Sequence, residues 1–123
     1  MTLNILAVDD SRTMREMLRT ALGAAGMTVT VANDGVHALE VLAAMSPLPD
    51  AIISDINMPR LDGFGFIRAV RRNARTRAVP ILCLTTESAD DLKMRARDAG
   101  ATGWIVKPFD PQGLIRSLYM ITG

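Results

Sequence analysis

Four short apolar runs in this chain end in residues that could do chemistry. NILAV (4–8) runs into Asp9 and Asp10, AIIS (51–54) into Asp55, PILCL (80–84) into Thr85 and Thr86, and GWIV (103–106) into Lys107. Taken singly, each is ordinary. An aspartate after a strand often opens a turn or caps a helix, threonine is a common strand residue, and a lone lysine reads as surface. Gathered at one place they are not. Three neighbouring carboxylates repel one another and raise each other's pKa unless a cation joins them. An all-oxygen donor set suits a hard cation such as Mg²⁺, which keeps several waters and accepts one or two carboxylates. Lys107 adds an ammonium and Thr85 a hydroxyl, and around a carboxylate such groups stabilise added phosphoryl oxygens. The chemistry available to this set is phosphoryl transfer to an aspartate, with Mg²⁺ offsetting the charge.

Whether these residues meet depends on the elements that carry them. Five β-type runs, NILAV (4–8), MTVTV (27–31), AIIS (51–54), PILCL (80–84) and GWIV (103–106), alternate with helical patterns. The first helix places Met14, Met17, Leu18, Ala21, Leu22 and Ala25 at helical spacing and stops at Gly26. The second spans about 36–45 and the third roughly 64–72, after Gly63. The fourth opens on Ser88-x-x-Asp91, a capping-box pattern, and ends at Gly100; the fifth opens on Asp110-Pro111. Continuous apolar strands separated by helices predict an α/β fold, a doubly wound, five-stranded parallel sheet between two helical layers. Ligands of such sheets bind beyond the carboxyl ends of the strands, which is where the acids, hydroxyls and lysine fall. Asn33, Asp34 and Gly35, after the second run, read as a turn.

Composition narrows the function classes. The chain has 123 residues, 49% hydrophobic and 22% charged, with 14 Lys and Arg against 13 Asp and Glu. A nucleic-acid binder normally shows a basic face, and that balance gives no support for one. The arginines at 68, 71, 72, 75 and 77 lack interleaved aromatics and read as a solvated helix face with its exit loop. A single cysteine, Cys83, excludes a disulfide framework or cysteine metal site and reads as a small buried hydrophobe. No signal peptide or membrane-length apolar stretch is present, so a cytoplasmic protein without membrane insertion is expected.

VDDS (8–11), SDINMPRLDG (54–63), LTT (84–86) and GWIVKPF (103–109) resemble the response-regulator receiver domains of two-component signalling. The resemblance covers essentially the whole chain. VDDSRTMR (8–15) and DINMP (55–59) are most similar to the single-domain chemotaxis branch, the CheY-like proteins. It implies a flavodoxin-like receiver fold over 1–123 with no output domain, in a monomer that signals and is not an enzyme. It also implies that Asp55 is the phosphoacceptor and a histidine kinase the donor. Asp10 then binds Mg²⁺ (or Mn²⁺) directly, Asp9 acts on it through water, and Asn57 lends its backbone carbonyl. Thr85 and Lys107 bond phosphoryl oxygens. Trp104 is the switch aromatic, expected partly buried against the fourth helix. Asn57 and Glu87 tune self-dephosphorylation, and Lys107-Pro108 matches a peptide bond that is cis in the family. Asp62 reads as a turn residue. The implied output is a face of helix four, strand five and helix five that binds an effector, in chemotaxis the flagellar motor switch. A phosphate sink or phosphorelay shuttle is the alternative.

Some positions depart from the best-known chemotaxis member. Position 56 is Ile rather than Trp, Thr86 is bulkier than the usual alanine, and helix four carries a different charge pattern. His37, the single histidine, is expected to be exposed and uninvolved. A haloacid-dehalogenase-type phosphatase would want an acid two residues after its nucleophile, where this chain has Asn57. A flavodoxin would need a hydroxyl-rich phosphate loop after the first strand, where this chain is acidic.

Overall fold

Each apolar run of the sequence is a strand in the computed structural model, which describes residues 2–86 and 90–123. The order is β1 (Asn4–Val8), α1 (Arg12–Ala24), β2 (Thr28–Ala32), α2 (Gly35–Ala44), β3 (Ala51–Asp55), α3 (Gly63–Arg72), β4 (Ile81–Thr85), α4 (Asp90–Ala99), β5 (Gly103–Val106) and α5 (Pro111–Thr122). The strands pair in parallel as β2-β1-β3-β4-β5. This is the doubly wound, flavodoxin-like sheet.

Two strands begin one residue later than their apolar runs predict. β2 covers 28–32 rather than 27–31, and β4 covers 81–85 rather than 80–84. Pro80 has no N–H for the ladder, though its carbonyl accepts from Ile52. Thr85 and Asp55 are thus the last residues of their strands, inside the ladder.

Successive strand residues point to opposite faces, and here both faces are apolar. Leu6, Val8, Ile52, Ile81 and Cys83 point to one side and are covered by Leu42, Phe66, Ile67, Val70 and Ala96 from α2, α3 and α4. Ile5, Ala7, Ile53, Leu82 and Leu84 point to the other and are covered by Leu18, Leu22, Leu114 and Leu118 from α1 and α5. Each fully buried Leu or Ile contributes roughly 1.5–3 kcal/mol over an exposed one. Cys83 lies in this core, and burial pushes its thiol up to about 12.

Helix starts follow local chemistry. Ser11, Asp34, Asp62 and Asp110 each cap a helix by accepting a backbone N–H from Met14, His37, Gly65 and Gln112. Asp34 is therefore a buried cap rather than a simple turn residue, and Asp62 caps α3. Ser88, expected to cap the fourth helix, lies outside the described residues, as does Glu87.

Two expectations about polar side chains are corrected. Arg71 is half-buried, and its guanidinium donates to the carbonyls of Gly100, Arg77 and Val79 at 2.8, 2.9 and 2.7 Å. Arg75 donates to Leu42 and Met45 carbonyls. Arg71 and Arg75 thus fasten loops, because these carbonyls at helix and strand ends need donors, while Arg68, Arg72 and Arg77 are exposed as expected. His37 is half-buried, and its Nδ1 accepts the N–H of Asn33 at 3.1 Å.

Candidate functional site

Register brings the expected residues together. Val8 pairs with Ser54, so Asp9 follows opposite Asp55. Asp55 pairs with Leu84, which sets Thr85 one residue beyond it, and Thr85 pairs with Val106, which sets Lys107 one beyond again. All lie at the carboxyl edge, near β1 and β3, where the strand order reverses.

Pleat parity sorts their sides. Asp55 continues the Ile53 face toward α1 and α5, while Thr85 and Trp104 lie on the α4 face with Cys83. The acids and the hydroxyl approach the same edge from opposite layers.

Asp9 is fully buried. Its Oδ1 accepts the Ser11 N–H at 2.9 Å, its Oδ2 accepts from Lys107 Nζ at 3.1 Å, and its carbonyl accepts from Arg15 at 2.8 Å. Asp55 is also buried; its Oδ1 accepts the Ile56 N–H at 2.9 Å and sits 3.3 Å from Lys107 Nζ. Asp10 is exposed. Carboxylate oxygens of Asp9, Asp10 and Asp55 lie within 4.8 Å of one another. Thr85 is buried, and Asn57 and Thr86 are exposed.

The electrostatics follow from this crowding. Burial, and then the Asp9 charge, raise the Asp55 pKa above the ordinary carboxylate value, with Lys107 opposing. For Lys107, burial pulls downward, but Asp9 and Asp55 outweigh it and the ammonium is held more tightly than usual. One cation against three carboxylates leaves an anionic pocket of oxygen donors. That donor set fits a hard divalent cation.

Trp104 is half-buried against the α4 side of the core, as expected. Beside it a cavity of about 160 Å³ is lined by Lys93, Ala96, Arg97 and Thr102. On the α5 side of β5, a second hollow of about 220 Å³ is lined by Leu82, Ser117 and Met120. Met94, Tyr119 and Met120 are exposed on the flanking helices. The Lys107-Pro108 bond is cis, as the family resemblance implied; Ser46-Pro47, also cis, was not expected.

Three contacts around the site escape sequence reading: Arg15 on the Asp9 carbonyl, Ser54 Oγ donating to the Asp55 carbonyl at 2.9 Å, and Arg60 paired with Asp34. Only the Ser54 contact has a local signal, its adjacency to Asp55.

Comparison with known proteins gives a consistent picture. The response regulator receiver domain family matches residues 5–119. The chain is 43% identical over 115 residues to the response regulator MprA of Mycobacterium ulcerans, covering 94% of this chain and 48% of that protein. It is 36% identical over 110 residues to the sensor histidine kinase CheAY of Helicobacter pylori, covering 89% of this chain and 14% of that one. The chain thus spans about half the length of the MprA proteins it matches. Among solved structures, the chemotaxis protein CheY4 of Vibrio cholerae has a TM-score of 0.92 at 42% identity, covering 98% of this chain and 99% of that one. The receiver domain of the sensor histidine kinase PA1611 from Pseudomonas aeruginosa has a magnesium ion coordinated in its active site cleft. It matches with a TM-score of 0.90 at 29% identity, covering 100% of this chain and 99% of that one.

Proposed function

Because the chain belongs to the response regulator receiver domain family, we propose that it is a cytoplasmic, phosphorylation-activated switch of a two-component system with Asp55 as phosphoacceptor. The observation that carries this reading is the convergence of Asp9, Asp10, Asp55 and Lys107 on one strand edge.

The described contacts of Asp55 fall on Oδ1, which orients the carboxylate and leaves Oδ2 to act as nucleophile. Oδ2 attacks the phosphorus of a phosphohistidine donor. The P–N bond breaks, and the imidazole leaves with its electron pair and takes a proton from solvent. Lys107 neutralises one phosphoryl oxygen and the Thr85 hydroxyl donates to another. Bound Mg²⁺ (or Mn²⁺), held by Asp10, Asp55 and the Asn57 carbonyl with Asp9 acting through water, supplies charge neutralisation for the phosphoryl oxygens. Asn57 and Glu87 tune the return reaction, in which water cleaves the acyl phosphate; its own phosphotransfer and this self-dephosphorylation are the only reactions proposed for the chain.

Thr85 and Trp104 share the α4 face, so movement of Thr85 toward a phosphoryl group opens room into which Trp104 turns. This reshapes α4, β5 and α5, whose hollows and exposed Met94, Tyr119 and Met120 support effector binding there. The likeness to CheY4, a chemotaxis protein, favours an effector in chemotaxis, and the flagellar motor switch is the one proposed. A second reading, a phosphate sink or phosphorelay shuttle, draws on the likeness to sensor-kinase receivers.

Labelling with radioactive acetyl phosphate tests the core of this proposal. Asp55→Asn is expected to lose the label, and labelling at the wild-type rate and stoichiometry would refute it. Partner capture with and without beryllofluoride separates switch from sink, since only the switch has a partner preferring the activated form.

A further inference from the structure

Arg60 is the one non-glycine among the described residues with a left-handed backbone, at φ 65°. An L-residue stays in that region only where its surroundings hold it. Here they do. Nε and Nη2 of Arg60 donate to Oδ2 and Oδ1 of Asp34 at 2.8 and 3.0 Å, a two-point fork. Asp34 has little freedom to yield. It is 7% exposed, caps α2 by accepting the His37 N–H at 2.8 Å, and is kept ionised by the guanidinium beside it.

The next residue tightens the joint. Leu61 packs on Gly35 so closely that a Cβ there would come within 2.5 Å of the Leu61 carbonyl oxygen. The loop 56–62 is therefore fastened to the first turn of α2 at two successive residues. At its far end the Gly63 N–H donates to the Ile56 carbonyl at 2.8 Å, and Asp62 caps α3. Asn57 and Met58 lie between these anchors, two and three residues after Asp55. An irregular loop holds its carbonyls only as well as its anchors allow.

We infer that Arg60, locked by Asp34, is a positioning residue for the phosphoacceptor site: it sets the loop that offers the Asn57 carbonyl to the cation. This rests on the site reading above. The Arg60 side chain is 54% exposed, so the pair adds little to global stability. Its effect belongs in the site.

Arg60→Gly tests this, because glycine accepts the left-handed backbone without strain while the side chain and its guanidinium are removed. Asp34→Asn leaves the loop backbone unaltered and controls for the added freedom of glycine. Three measurements are made alongside wild type: Mg²⁺ titration, the urea midpoint, and hydrogen exchange of amides 56–62 in metal-free protein. Mg²⁺ affinity should fall about tenfold, at the low end of what losing a ligand-orienting partner costs. Loop amides should exchange faster, and the urea midpoint should stay near wild type. Asp34→Asn, which keeps the cap but not the charge, should move in the same direction. Arg60→Lys, with charge but no fork, should recover part of the affinity. Saturating Mg²⁺ should restore the phosphorylation rate of Arg60→Gly. Wild-type Mg²⁺ affinity and loop exchange in both Arg60→Gly and Asp34→Asn overturn the inference, as does an affinity loss that merely tracks unfolding. If wild type binds no Mg²⁺, or Asp55→Asn is still labelled, the site reading fails too, and those two controls show it.

Discussion

The ammonium of Lys107 donates to the Asp9 carboxylate at 3.1 Å, joining residues 98 positions apart in the chain. The same Nζ lies 3.3 Å from Asp55. One cation thus serves two buried acids, with exposed Asp10 beside them. That shortage of positive charge makes the site anionic and leads to the first prediction.

Burial and Asp9 hold the folded Asp55 pKa above its ordinary 3.8. Between 3.8 and that raised value, the native state keeps a proton the unfolded chain has released. Stability contributed by this group therefore falls as pH rises through the window and stays lower above it. Asp55→Asn lacks this loss. In chelator, its urea midpoint should gain on wild type as pH rises from acid to neutral, and added Mg²⁺ should narrow the gap. Parallel pH profiles would count against this account.

Asp9 and Asp10 should separate in metal titrations. Both oxygens of Asp9 are already engaged, by Ser11 N–H and by Lys107, whereas Asp10 is exposed beside the cluster. Asp9→Ala should weaken Mg²⁺ binding by about tenfold, as for loss of an indirect partner, and Asp10→Ala by more. Calorimetric titration of both variants decides it. Equal losses, or none, contradict the assignment.

Gly63 bears on both the fold and the site. A Cβ there would overlap the Asp55 carbonyl oxygen and the Ile56 Cα. Gly63→Ala should cost about 1–3 kcal/mol, the usual range for overpacking, and should slow phosphorylation because the displaced carbonyl belongs to the phosphoacceptor. Urea unfolding and labelling rates measure the two effects. A variant of wild-type stability would mean that the loop yields more easily than its packing implies.

Trp104 is the only tryptophan, so its emission reports motion near β5 without interference. Beryllofluoride with Mg²⁺ should change that emission in wild type. Thr85→Ala should keep Asp55 labelling near wild type while losing most of the fluorescence change and the gain in partner affinity. Full retention of both signals in Thr85→Ala would remove Thr85 from the switch.

The sequence by itself determined the layout. Apolar runs ending in Asp9, Asp55, Thr85 and Lys107, alternating with helical spacing, specify strands whose carboxyl ends face one edge, because pleat and helix periods are local properties. The cap at Asp110 was legible for the same reason. What only the tertiary structure decided is which distant side chains meet. Nothing near Arg60 marks Asp34, 26 residues earlier, as its partner, and nothing near Arg71 marks the Gly100 carbonyl. Reading Asp34 as a turn and Arg71 and Arg75 as solvated failed in this way, whereas Arg68, Arg72 and Arg77 are exposed as expected and His37 is held locally by Asn33. Asp34 and Arg71 found partners 26 and 29 residues away, on loops whose positions are settled by how α2, α3 and α4 pack on the sheet.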